Sequence, residues 1–259
     1  MDLRRIVDLE KFPILDRDFR FTCHSDLNSN GVLVMPGFLT QEAIDSVKRE
    51  SDTGLHQAYF CQQTHTVYLS PPDPDLPADH PRNRPIKSSK GCITDDQIPQ
   101  GSVLRTLYDS AEFQDFLCAV LGEAGLYPYA DPLSSINIHY AKTGQELGWH
   151  FDNSSFAITL MIQPAERGGQ FEYIGAVRNA DAGDMNFKGV EAVLDGRVAA
   201  KRLAMEPGAL VLFRGRNAIH RVTPNEGERT RILVVLAYNS KPGVALSEAA
   251  RLTFYGRTH

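Results

Sequence analysis

Apolar and polar positions follow two different patterns along the chain, and the change falls near residue 130. Upstream, the clear signals are helical. Gly31 to Phe38 is an apolar run closed by Pro36 and Gly37, which predicts a buried strand. Thr40 then reads as an N-cap, with Glu42 in the first turn where the helix dipole favours it. Leu39 and Ile44 sit at the staple positions, and the helix is expected to run to about Ser51. Ser110 caps a second predicted helix. Its apolar stripe is Phe113, Phe116, Leu117, Val120 and Leu121, and Gly122 or Gly125 ends it. Residues 1–30 show no period. Val67-Tyr68-Leu69 is a candidate strand, followed by six prolines between Pro71 and Pro85, a stretch that cannot enter a sheet interior.

Downstream, the period shortens to two. Ser135 to Tyr140 alternates, Phe156 to Gln163 is a second strand, and Gly168-Gly169 turns the chain into a third from Gln170 to Ile174. A polar stretch over residues 176–200 carries a short helix near Val190–Leu194. Gly208 to Phe213 follows a Pro-Gly turn, and Arg231 to Tyr238 is the last strong strand. Short strands separated by turns argue for a sandwich or barrel. No linker or repeat divides the chain. The expectation is one mainly β domain over 1–259, with supporting helices in about 1–130 and the β core in about 131–259.

Composition adds exclusions. The chain is 42% hydrophobic and 23% charged, ordinary for a globular protein. A net charge of −5 gives no footprint for nucleic acid. The longest apolar runs are too short to span a bilayer, and Met1 to Arg5 leads into acidic residues with no apolar signal-peptide region, so a cytoplasmic location without a membrane partner is expected. Cys23, Cys61, Cys92 and Cys118 are scattered, which fits free thiols in a reducing compartment.

The chemistry concentrates in Trp149-His150-Phe151-Asp152-Asn153. Residues two apart on a strand share a face, so His150 and Asp152 can aim at one point. Such a pair is two thirds of the 2-His-1-carboxylate set that holds non-haem Fe(II), and His220 is the candidate third ligand. Alone, a His-x-Asp pair is more often structural than a metal pair.

The order of motifs is more specific. His-x-Asp, a strand, Gly168-Gly169, then Pro207-Gly208, a strand, His220-Arg221-Val222-Thr223-Pro224, and Arg231 opening the last strand resemble the Fe(II)/2-oxoglutarate-dependent dioxygenase superfamily over about 135–240. The resemblance implies a double-stranded β-helix (jelly roll) with flanking helices, and His150, Asp152 and His220 as metal ligands. It also implies 2-oxoglutarate and O2 as cosubstrates, with succinate and CO2 released as an unactivated C–H bond is hydroxylated. Arg231 matches the family's basic residue for the distal carboxylate, a group that must be paired when buried. Leu233, Val235 and Ala237 share its face. Arg229 is the second candidate, with a solvated surface charge as its plain alternative. Asn137 is a looser match for an added hydrogen bond, and His139 on the same face either lines the site or is structural.

Chain size, the Trp149–Asn153 start and the tail Leu246 to Gly256 resemble the branch of free-amino-acid halogenases and their hydroxylase relatives. This implies a small free amino acid as substrate. In the halogenases a small residue replaces the carboxylate, so Asp152 points to hydroxylation. Polar candidates for the substrate are Asn153, Ser155, Glu172, Arg82 and Arg84, the arginines on a flap or on a merely solvated loop. Phe254 and Tyr255 either close the pocket or pack. Neither a basic nor a neutral amino acid is favoured. The alternatives are a prolyl-type peptide hydroxylase and a non-catalytic metal-binding jelly roll.

Overall fold

The computed structural model describes residues 2–259. Four helices and three strands come first: α1 (Arg17–Asn30), β1 (Val32–Met35), α2 (Gln41–Gly54), β2 (Tyr59–His65), β3 (Ile86–Ile93), α3 (Val103–Tyr108) and α4 (Ala111–Leu121). Strands then dominate: β4 (Ile136–Ala141), β5 (Leu147–His150), β6 (Ala157–Gln163), β7 (Arg167–Gly168) and β8 (Phe171–Ile174). After α5 (Phe187–Leu194) come β9 (Lys201–Leu203), β10 (Leu210–Phe213), β11 (Ile219–Val222), β12 (Asn225–Glu226), β13 (Arg231–Leu236) and finally α6 (Glu248–Tyr255).

Eleven strands form one curled antiparallel sheet in the order β1-β10-β6-β13-β4-β3-β5-β11-β8-β9, with β2 also paired to β3. β3 pairs with both β4 and β5, and so joins two halves: β4, β13, β6 and β10 on one side, β5, β11, β8 and β9 on the other.

Alternation explains how the first half is used. Ile136, Ile138, Tyr140, Ile158, Leu160, Ile162, Leu210, Leu212, Ile232 and Val234 face outward into the main core, against Leu27, Val47, Leu104, Phe113 and Phe116 from the helices. Their neighbours, among them Asn137, His139, Thr159, Val211, Arg231, Leu233 and Val235, face inward and line a cavity of about 350 Å³. Leu147, His150, Phe171, His220 and Val222 line it from the other half.

The predicted caps are present. Thr40 accepts from Ala43 N–H at 3.2 Å and Ser110 from Phe113 N–H at 3.3 Å, each contact worth about 1 kcal/mol. Gly122 ends α4 in the left-handed conformation at φ 75°, which glycine adopts without a Cβ clash. All five residues of the predicted α4 stripe are buried.

Several expectations are corrected. α1 lies where no period was read, because only Cys23 and Leu27 are buried along its polar length. Asp16 caps it, and Phe19 stacks on Phe116 at 6.2 Å. Val67–Leu69 is a turn with Leu69 at φ 50°. The strand lies just before it, in β2, whose Gln62-Gln63-Thr64-His65 end hides it from a hydrophobicity reading. β1 is only half-buried, being at the sheet edge. The proline-rich segment is a folded hairpin loop: Asn83 donates to the carbonyls of Asp73, Leu76 and Pro77 at 2.8–3.2 Å. Among the described residues no helix is long and apolar enough to cross a membrane, and all four cysteines are free.

Candidate active site

β5 and β11 pair so that His150 lies directly opposite His220, with ring centroids 4.2 Å apart. The pairing register thus makes one site of residues far apart in sequence. His150 is the last residue of its strand, and Asp152 lies in the loop beyond. Strand alternation therefore does not aim the carboxylate; loop anchoring does. Phe151 N–H donates to Val67 O at 2.8 Å, and the Phe151 ring is fully buried against Tyr68. Asp152 N–H donates to Gly215 O at 3.1 Å, and Arg178 donates to the Asp152 carbonyl at 3.3 Å. Gly215 is required by closeness: a Cβ there would lie 1.8 Å from Asp152 Oδ2.

The geometry suits a metal ion. Asp152 Oδ1 is 3.8 Å from His150 Nε2 and 3.5 Å from His220 Nε2, and one donor atom from each residue falls within 4.8 Å of the others. His150 Nδ1 meets Gly148 O at 2.8 Å and His220 Nδ1 meets Ala218 O at 3.0 Å. A carbonyl only accepts, so each Nδ1 carries the proton and each Nε2 keeps its lone pair for a ligand. Burial, and next the adjacent His220, push His150 down to about 3, which keeps it neutral. Burial would raise Asp152, but His220 and His150 outweigh it and hold the carboxyl below its ordinary range. Asp152 Oδ2 is buried with no hydrogen-bond partner, an orphan that a cation would satisfy.

Arg231 is the second unsatisfied group. It is buried, its Nε has no partner, and burial alone pushes it down to about 10. A guanidinium out of water without a counter-charge is costly, and an anion in the cavity would satisfy it. The Gly168-Gly169 turn makes the room. Both residues have positive φ (63° and 57°), and a Cβ on Gly169 would stand 3.1 Å from Arg231 Cδ.

The other sequence candidates divide. His139, Asn137, Phe254 and Tyr255 line the same cavity as the His-Asp-His cluster and Arg231. Asn137, however, uses both amide hydrogens on the carbonyls of Leu133 and Ile136 (2.8 and 2.9 Å), and its Oδ1 accepts from Tyr255 O–H at 2.9 Å. It fixes α6 and has no donor left for a cosubstrate. Arg229 is exposed. Glu172 faces away from the cavity, where Arg202 and Arg221 pair with it at 2.9 and 2.7 Å; the inward residue of β8 is its neighbour Phe171, stacked on His220. Arg84 pairs with Asp195 at 2.5 Å, on the residue that closes α5, and Arg82 lies over the Tyr68 ring. Neither arginine lines the cavity. Asn153 and Ser155 are exposed, and Ser154 between them is the residue that reaches the cavity.

Sequence reading missed Lys90, Thr159 and Phe171. The period-two rule places Thr159 and Phe171 inward once their strands are drawn. Lys90 lies on β3, a strand given no signal of its own.

The comparisons agree with this geometry. A family profile described as Halogenase D matches residues 79–251, more than half of the chain. No curated protein matches. Solved structures match in fold. The 2-oxoglutarate-dependent carbocyclase SnoK of nogalamycin biosynthesis is 14% identical with a TM-score of 0.60, covering 89% of this chain and 90% of that one. A 2OG-Fe(II) oxygenase family oxidoreductase from Burkholderia pseudomallei is 13% identical with a TM-score of 0.55, covering 87% and 92%. A Pseudomonas putida prolyl-4-hydroxylase is 12% identical with a TM-score of 0.51, covering 83% and 96%. The jelly-roll core is therefore the fold of the Fe(II)/2-oxoglutarate oxygenases, and the chain belongs to the family described as Halogenase D.

Proposed function

We propose that this protein is an Fe(II)/2-oxoglutarate-dependent hydroxylase of a small free amino acid. The observation that carries the reading is the meeting, in one cavity, of the His150-Asp152-His220 cluster and the unpaired Arg231. His150 Nε2, His220 Nε2 and an Asp152 oxygen would hold Fe(II), leaving open positions for cosubstrate and O2. The loaded iron, with 2-oxoglutarate and O2, supplies the oxidant for an unactivated C–H bond.

The chain's own groups have separable tasks. Arg231 pairs with the distal carboxylate of 2-oxoglutarate and fixes its orientation. The Nδ1 bonds to Gly148 and Ala218 lock both imidazoles in the tautomer a metal needs. Phe171 and Phe213, which flank His220, keep water from that side. Positioning one C–H bond while excluding competing groups is the protein's main contribution.

Halogenation is the second reading, because of the family's description. Asp152 speaks against it: its carboxylate takes a coordination place that a halide would need. Anaerobically purified protein is given Fe(II), 2-oxoglutarate, chloride and a panel of free amino acids and proline-containing peptides, and succinate and products are followed. A product heavier by one oxygen is expected from a free amino acid. A chlorinated product, or a hydroxylated peptide alone, would overturn the reading. Asp152→Ala should abolish turnover, and Arg231→Ala should mainly raise the 2-oxoglutarate requirement.

A further inference from the structure

The cavity holds a second basic group, Lys90, that the proposed reaction does not use. Lys90 projects inward from β3, and its Nζ lies 3.0 Å from His139 Nε2. The Lys90 Nζ also lies 5.6 Å from the centre of the Phe254 ring. Lys90 forms no ion pair among the described residues, and its bond to His139 uses one of three ammonium hydrogens. His139 is kept neutral, well below its ordinary value, by burial first and then by the charges of Lys90 and Arg231. It can therefore accept from the ammonium but cannot neutralise it.

The charges lining the cavity can be followed one by one. Among the described residues Asp152 is its only carboxylate, and it belongs to the His-Asp-His cluster. 2-Oxoglutarate brings two carboxylates, one for the metal and one for Arg231. Lys90 is left over: burial lowers it from the ordinary lysine value, and an anion beside it would favour the ammonium form and accept its hydrogens. The rest of the lining is chiefly apolar, including Leu147, Val211, Leu233 and Val222.

We infer that Lys90, oriented by His139, binds the carboxylate of the substrate, and that the substrate is an amino acid with an uncharged, largely apolar side chain. This rests on the reading of the cavity as a hydroxylase site. The α-ammonium can be met by the hydroxyls of Tyr129, Ser154 and Thr159, which also line the cavity. A second cation on the side chain would find no free carboxylate and would be repelled by Lys90. Basic amino acids are thereby disfavoured.

The test compares L-leucine, L-lysine and L-leucinamide as stimulators of succinate formation by wild type, Lys90→Met and Lys90→Arg. Calorimetric binding of 2-oxoglutarate to the Mn(II)-loaded proteins runs alongside, and thermal melting confirms that each variant is folded. Leucine is expected to exceed lysine, and the amide to fall below the acid by about 10- to 100-fold, the range for a charge-assisted hydrogen bond. Lys90→Met should erase that acid-to-amide ratio while 2-oxoglutarate affinity changes less than about twofold, and Lys90→Arg should retain the ratio. A Lys90→Met protein that binds 2-oxoglutarate at least about tenfold more weakly, with the ratio intact, would assign Lys90 to the cosubstrate and overturn the inference. Preference for lysine would overturn the substrate class and leave the hydroxylase reading standing. If no free amino acid stimulates succinate but a peptide does, the hydroxylase reading of a free amino acid falls, and the inference with it.

Discussion

At the scale of single residues, the site depends on groups that carry no catalytic chemistry. Gly215 leaves the space that Asp152 Oδ2 occupies. Its φ is not in the left-handed region, so alanine there is conformationally acceptable and acts through the added methyl alone. Gly215→Ala should weaken Co(II) or Mn(II) binding by about 10- to 100-fold, the scale of lost ligand support, with little change in the melting temperature of the metal-free protein. Calorimetric titration checks it, and unchanged affinity would mean that Asp152 moves freely. His139 gives a pH prediction. Its folded value lies well below 6.5 because of burial, then Lys90 and Arg231. Below pH 6.5 the unfolded chain takes up a proton that the folded chain refuses. The stability associated with this group is thus complete above about 6.5 and is lost as pH falls, by about 1.4 kcal/mol at pH 5.5. Denaturant titrations of wild type and His139→Gln at pH 7 and 5.5 should show the variant losing less on acidification. Equal losses would place His139 in contact with water.

At the scale of elements, register and turns decide what meets. The β5–β11 pairing sets His150 opposite His220, and the Gly168-Gly169 turn opens the space beside Arg231. Gly169→Ala meets three costs: a left-handed φ of 57°, worth about 1–2 kcal/mol for a residue with a Cβ, a clash at 2.9 Å with Ala165 Cβ, and a contact at 3.1 Å with Arg231 Cδ. Gly196 has φ 70° and open space around it, so Gly196→Ala carries the strain alone. Both variants should melt lower, but only Gly169→Ala should raise the 2-oxoglutarate requirement. If the two behave alike, the turn does not position Arg231. The helices show what periodicity can and cannot reveal. α4 was legible because its stripe of five large apolar residues is buried. α1 was not, because it rests on two buried side chains and gains its place by packing on α4.

At the scale of the molecule, the cavity lies between two sheet halves joined through β3, and the helical layer packs on the outer face of one half. The His150-Asp152-His220 cluster bridges β5, the loop after it and β11. A metal ion bound there favours the folded state by mass action, by about 2.7 kcal/mol at a hundredfold excess over the dissociation constant. Mn(II) should raise the melting temperature of wild type and leave His150→Ala unmoved. A rise in both would locate the ion elsewhere.

The sequence by itself determined the alternating strands, the caps of α2 and α4, the order of motifs, and the residues His150, Asp152, His220 and Arg231. These are local or serial properties: a two-residue period, a hydroxyl before a helix, glycines at turns. Only the tertiary structure decided which side chains share the cavity. Glu172 and Phe171 are adjacent in sequence and opposite in orientation. Arg82 and Arg84 belong to a loop held down by Asn83, and Asn137 has its donors taken by two backbone carbonyls. Lys90 faces the cavity because β3 pairs at once with β2, β4 and β5. Trp149–Asn153, which reads as a strand with two ligands on one face, is a strand end followed by a clamped loop. Its carboxylate is aimed by Val67, Gly215 and Arg178, none of them its neighbour in the chain.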